Sequence, residues 1–200
     1  LLDVNYSGST GYGRQYRSRL HGKWGILDVE DCCDGALYAV ANGLADRDKL
    51  IIRGSSAGGY TVLAALTFED VFSAGASYYG ISDLTSLTDA THKFESHYND
   101  SLVGPYPEAR ELYLQRSPIN HSERLNCPVI FFQGIEDMVV PKEQAEKMFD
   151  AISRKGLPVA AQYYPHEQHG FRRAETILQS LENELSFYQL IFDLKAKSEI

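Results

Sequence analysis

Six residues, Gly54-Ser55-Ser56-Ala57-Gly58-Gly59, constrain this chain more than any others. They join a strand-like apolar run, Lys49-Leu50-Ile51-Ile52-Arg53, to a helix-like run, Tyr60-Thr61-Val62-Leu63-Ala64-Ala65-Leu66. Strand, glycine-rich turn and helix form the context in which a G-x-S-x-G pattern holds its central serine on a sharp, strained bend. Such a bend needs small neighbours, a demand met by Gly54, Gly58 and Gly59. Ser56 is then expected to project from the end of a sheet, with a helix N-terminus beneath it. The positive end of the helix dipole favours the negative charge that develops in acyl transfer. The bare pattern arises by chance often enough to mean little. Its flanking runs are what give it weight.

A nucleophilic serine needs a base, and the base needs an orienting acid. On this kind of turn the chain order is serine, acid, histidine. The apolar run Cys127-Pro128-Val129-Ile130-Phe131-Phe132-Gln133 reads as a buried strand. It leads into Gly134-Ile135-Glu136-Asp137, which puts Asp137 at a strand's C-terminal end, where open α/β sheets build their sites. The run Val159-Ala160-Ala161-Gln162-Tyr163-Tyr164 reads as the next strand and enters a loop holding His166 and His169. Asp137 and His169 are therefore the expected acid and base, with Glu136 and His166 as their competitors. His169 is preferred because Gly170 after it permits a tight loop. The two histidines do not match the zinc pattern H-E-x-x-H, since position 170 is glycine, and no metal or other cofactor is expected. His21, His92, His97 and His121 lie outside any strand-to-loop context.

Strands and helices alternate along the chain, which argues for an α/β fold with a mostly parallel sheet. Residues 29–41 read as a helix whose acidic start, with Asp28, Glu30, Asp31 and Asp34, suits a helix dipole better than a cation site. Residues 142–155 read as a helix with Ala145, Met148, Phe149 and Ile152 on one face, stopped by Gly156. The last helix is expected over 173–193, packing through Ile177, Leu178, Leu181, Leu185, Tyr188 and Phe192. Tyr60 is read either as a site residue or as core. The stretch 83–106, with His92, Phe94, His97 and Tyr98, is read equally as a pocket wall or as a surface excursion.

Several further segments carry a specific resemblance. They are Asp3-Val4-Asn5-Tyr6-Ser7-Gly8-Ser9-Thr10-Gly11-Tyr12-Gly13-Arg14, Trp24-Gly25-Ile26-Leu27-Asp28-Val29-Glu30-Asp31, Gly75-Ala76-Ser77-Tyr78-Tyr79-Gly80, Ser117-Pro118-Ile119 and Glu167-Gln168-His169-Gly170-Phe171-Arg172-Arg173-Ala174-Glu175. With residues 54–60 and 134–141, and in this order, they cover the chain from end to end. The chain resembles the catalytic domain of the prolyl oligopeptidase family of serine peptidases, on its acylaminoacyl-peptidase and dipeptidyl-peptidase-like branch. The resemblance implies an α/β-hydrolase fold with a mostly parallel sheet and helices on both faces. It also implies roles: Ser56 as nucleophile, Asp137 as orienting acid, His169 as general base and then acid, and the Ala57 N–H as one oxyanion donor. Tyr78 and Tyr79 correspond to a substrate pocket wall. Val139 stands where many relatives carry Arg or Asn to grip a substrate carbonyl, which favours an esterase-like preference. The family places several strands, a second oxyanion donor and an N-terminal propeller before the segment matching Leu1. Residues 1–200 therefore read as one catalytic domain lacking its first strands and the propeller.

The implied substrate is a peptide or an acyl ester. A carboxylesterase on the same fold and a catalytically incompetent fragment or binding module are the alternatives. A net charge of −8 argues against nucleic acid and anionic membrane surfaces. No apolar run is long enough to span a bilayer. Hydrophobic and charged contents of 44% and 23% are those of an ordinary globular domain. Three cysteines, Cys32, Cys33 and Cys127, suit reduced thiols in the cytoplasm better than a disulfide framework. The sequons at Asn5, Asn99 and Asn120 read as chance matches. Apolar edges left where strands are missing predict self-association.

Overall fold

The computed structural model describes residues 1–90 and 98–194. Of the stretch 83–106, His92, Phe94 and His97 lie outside the described residues, as does the Tyr98 side chain. The elements run α1 (Gly13–Ser18), α2 (Leu27–Ala41), β1 (Ile51–Ser55), α3 (Ala57–Phe68), β2 (Ala74–Tyr78), α4 (Leu84–Ala90), α5 (Tyr98–Leu102), α6 (Arg110–Arg116), β3 (Val129–Gly134), α7 (Glu143–Arg154), β4 (Val159–Tyr164) and α8 (Ala174–Ile191). The four strands form one parallel sheet in the order β1-β2-β3-β4.

The sheet is covered on both faces, and β3 shows how. Val129 and Phe131 join a core with Trp24, Leu63, Met148 and Ile152, drawn from the α2, α3 and α7 side. Ile130 and Phe132 point the other way, into a second core with Tyr78, Tyr164, Phe187 and Tyr188. Side chains alternate across a strand, so a strand buried on both faces is apolar throughout. The α/β-hydrolase reading with helices on both faces matches this architecture. Tyr60 is core: it is fully buried, lies 4.4 Å from Trp24 ring to ring, and donates its hydroxyl to the Arg116 carbonyl.

Three local expectations need correction. The first strand begins two residues later than its apolar run, because the Asp46 carboxylate accepts the Asp48 N–H and winds Arg47–Lys49 into a 3₁₀ turn. The acidic start of α2 is more than a dipole match. Asp28 is fully buried and accepts from the Gly25 N–H and the Thr61 hydroxyl, both at 2.6 Å, and Asp31 accepts the Ser7 N–H. Burial pushes the Asp28 carboxyl above its ordinary range, against those donors.

The third correction concerns α8, which turns four of the six residues of its expected packing stripe outward, while Tyr188 and Phe192 pack inward as expected. Ile177, Leu178, Leu181 and Leu185 are 42%, 58%, 49% and 58% exposed, while Thr176, Ser180, Glu184, Phe187 and Tyr188 are buried. Glu184 decides this orientation. Its carboxylate receives the Arg53 guanidinium at 2.9 Å, the Tyr78 hydroxyl at 2.6 Å and the Tyr188 hydroxyl at 2.9 Å. A buried carboxylate with its lone pairs satisfied outcompetes an apolar face that has nothing to cover it.

Candidate active site

Ser56 sits between β1 and α3 at φ 54°, ψ −118°, a conformation that a non-glycine residue adopts only under local constraint. Its N–H donates to the Tyr78 carbonyl at 2.9 Å, and its carbonyl accepts the Tyr60 N–H at 3.0 Å. The bend is sterically closed. A Cβ on Gly54 would lie 2.4 Å from the Gly58 oxygen, and one on Gly59 would lie 2.6 Å from the Gly80 Cα. Gly58 faces open space, so only two of the three glycines expected to be required for their size are so. Ala57 opens α3, and its N–H is one of the helix's first-turn donors without an intrahelical acceptor.

Asp137 and His169 come to this serine from the ends of β3 and β4. His169 Nε2 lies 2.7 Å from Ser56 Oγ, and His169 Nδ1 lies 2.8 Å from Asp137 Oδ2. The Asp137 side chain is fully buried, and the imidazole is 23% exposed. The Val139 and Val140 N–H groups both donate to Asp137 Oδ1 at 2.9 Å, and the Gln133 amide donates to Oδ2 at 3.3 Å. The remaining contact of the carboxylate is to the imidazole. With Nδ1–H held by Asp137, Nε2 is the nitrogen that accepts from the serine hydroxyl.

The competing residues are elsewhere. Glu136 Oε1 and His166 Nδ1 pair with each other at 3.0 Å and are half or more exposed. Tyr79 reaches His169 edge-on at a ring distance of 5.0 Å and meets Phe171 at 5.4 Å. With Phe171, Ile177 and Leu181 it lines a cleft of about 250 Å³ beside the serine turn. Tyr78 borders the same cleft but is 7% exposed, stacks on Phe132 and donates its hydroxyl to Glu184. It is a core residue, which corrects the expectation that both tyrosines face the site. Among the described residues no cluster of His, Cys, Asp or Glu is arranged to hold a metal ion.

Sequence reasoning missed Gln133 and Glu167. Gln133 is a polar residue ending an apolar strand, and that break in the pattern was its only signal. Its amide serves Asp137 Oδ2 and also the Val140 carbonyl at 3.0 Å. Glu167 left no signal in spacing, because the two hydrogen bonds that tie its loop come from the backbone N–H groups of Arg172 and Arg173.

Residues 1–195 match the prolyl oligopeptidase family. The chain belongs to that family. Among solved structures, the puromycin-hydrolyzing peptidase of Mycobacterium tuberculosis superposes with a TM-score of 0.95 at 49% identity, over 98% of this chain and 30% of that one. Dipeptidyl aminopeptidase BIII of Pseudoxanthomonas mexicana is 31% identical over 181 residues, 88% of this chain and 26% of its own length. The acylamino-acid-releasing enzyme of Arabidopsis thaliana is 30% identical over 190 residues, 91% of this chain and 25% of its own. The chain thus spans about a quarter of the length of the curated family members it matches.

Proposed function

We propose that the protein carrying this chain is a serine-type peptidase that cleaves short peptides and aminoacyl amides through an acyl-enzyme. The observation that carries this reading is the unbroken line Asp137–His169–Ser56, with contacts of 2.8 and 2.7 Å. In the first step His169 Nε2 takes the Ser56 proton as Oγ bonds to the scissile carbonyl carbon. Asp137 steadies the imidazolium that forms. The Ala57 N–H donates to the oxyanion. The imidazolium then protonates the leaving amine as the C–N bond breaks. In the second step His169 draws a proton from water as it attacks the ester carbonyl, then returns that proton to Ser56 Oγ as the ester C–O bond breaks and the acid product leaves. The aromatic cleft beside Tyr79 suits an apolar or aromatic side chain on the acyl part. A relative named for puromycin hydrolysis, similar along nearly all of this chain, supports amides of aminoacyl groups as the substrate class.

One observation favours a second reading, a carboxylesterase. Val139, which follows Asp137 by two residues, offers no side-chain hydrogen-bond donor for a substrate carbonyl and is 42% exposed. Unpaired thiols support a cytoplasmic location: Cys33, buried, and Cys32 and Cys127, half-buried, are all free. No described helix is long and apolar enough to cross a membrane. The exposed leucine face of α8 supports self-association.

The test is fluorophosphonate labelling of the natural-length protein beside Ser56→Ala and His169→Ala, followed by turnover of aminoacyl anilides against short acyl esters. Labelling that both substitutions abolish, with anilides turned over well, is the expected result. Ester turnover alone would move the reading to an esterase. A folded protein that never labels would end the hydrolase reading.

A further inference from the structure

We propose that Glu167 is a positioning residue for His169: its carboxylate closes residues 167–173 into a fixed loop that sets the imidazole between Asp137 and Ser56. The inference rests on the catalytic reading of those three residues. Glu167 lies two residues before His169 and is 2% exposed. Its Oε2 accepts the Arg172 N–H at 2.9 Å and its Oε1 the Arg173 N–H at 3.0 Å. Both donors lie at the start of α8, where the helix dipole also favours a carboxylate. The side chain before the histidine is thereby tied to the backbone after it.

The same residue holds the acid loop. Its carbonyl accepts the Glu136 N–H at 3.0 Å, and that oxygen would lie 2.4 Å from a Cβ on Gly134. Glu167 therefore joins the turn bearing Asp137, the turn bearing His169 and the N-terminus of α8. The loop needs this tie. Its backbone reverses at His166 (φ 64°) and Gly170 (φ 90°), and its only ladder contact among the described residues is an isolated bridge between Gln168 and Gly170. Burial alone would raise the Glu167 carboxyl. The Arg172 and Arg173 N–H groups, the Thr176 hydroxyl and the Arg173 charge outweigh it and hold the carboxyl below its ordinary 4.5. Gln in its place keeps the size but turns an NH₂ group toward one of the two N–H donors, which opens the clamp.

The experiment compares Glu167→Gln, Glu167→Asp, Ser56→Ala and the parent in the natural-length protein. Three quantities are read: the rate of fluorophosphonate inactivation, the downfield proton resonance of His169 Nδ1–H, and the thermal midpoint. Misplacing a reacting group by about an ångström costs up to 10²-fold, so Glu167→Gln is expected to react roughly 10–100-fold more slowly. Its Nδ1–H resonance is expected to shift or broaden. Glu167→Asp, which keeps the charge with a shorter reach, is expected to fall between the two, and it carries the test should the Gln variant not fold. Parent-like inactivation with the resonance in place would overturn the inference, whatever the thermal midpoint does, and leave Glu167 a structural residue. Labelling that persists in Ser56→Ala would overturn the underlying catalytic reading, and this inference with it.

Discussion

At the scale of single residues, the serine turn and the acid are held by different physics. The turn is held by sterics: Gly54 and Gly59 leave no room for a Cβ, and Ser56 accepts a strained backbone in consequence. The acid is held by hydrogen bonds, four of which converge on Asp137. This arrangement makes a sharp prediction for Asp137→Asn. The amide keeps the shape but presents a donor or a weaker acceptor to Nδ1, favouring the tautomer in which Nε2 carries the proton. Turnover is expected to fall by about 10⁴-fold with little change in fold, measured as kcat on an aminoacyl anilide beside a circular dichroism spectrum. A loss below tenfold would mean that Asp137 does not orient the base. Ser56, Asp137 and His169 were all legible in the sequence, because each follows a strand and precedes a helix. The choice of Asp137 over Glu136 was a preference there. In the structure Asp137 is the carboxylate beside His169, and Glu136 pairs with His166.

At the scale of elements, α8 is the instructive case. A spacing of three and four residues marks a helix face as apolar, yet the face so marked here is largely exposed, and the buried one carries Thr176, Ser180 and Glu184 beside Phe187 and Tyr188. Glu184 is bonded to Arg53 on β1, to Tyr78 on β2 and to Tyr188 on its own helix. Glu184→Ala strips three donors of their acceptor. Two of these donors belong to buried tyrosines, whereas the Arg53 side chain is 45% exposed and can turn to water. The expected loss of stability is therefore about 3 kcal/mol, the low end for breaking a buried pair, read from denaturant unfolding. A change under 0.5 kcal/mol would show that the network follows the orientation of α8 without causing it. The helix itself was legible from its length and apolar content. Its rotation was not, because partners on strands 106 and 131 residues away in sequence set it.

At the scale of the whole molecule, the apolar residues that α8 turns outward carry the self-association proposal. Ile177, Leu178, Leu181 and Leu185 form a run of exposed aliphatic side chains along this one helix. Exposed apolar patches of that kind mark interaction surfaces. Light scattering behind size-exclusion chromatography is expected to give a dimer at micromolar concentration, and Leu178→Lys with Leu185→Lys to return it to monomer. A parent that is monomeric throughout would remove the self-association reading. Local pattern by itself determined the alternating strands and helices, the parallel sheet and the candidates Ser56, Asp137 and His169. A strand's period, a glycine turn and a loop after a strand are all written within a few adjacent residues. Only the tertiary structure decided which tyrosine meets the imidazole, which face of α8 is buried, and that Gln133 bonds to Asp137 and Glu167 to the Arg172 and Arg173 N–H groups. Those outcomes depend on bonds between residues far apart in the chain or bonds to backbone N–H groups. Neither leaves a periodic trace in the order of side chains.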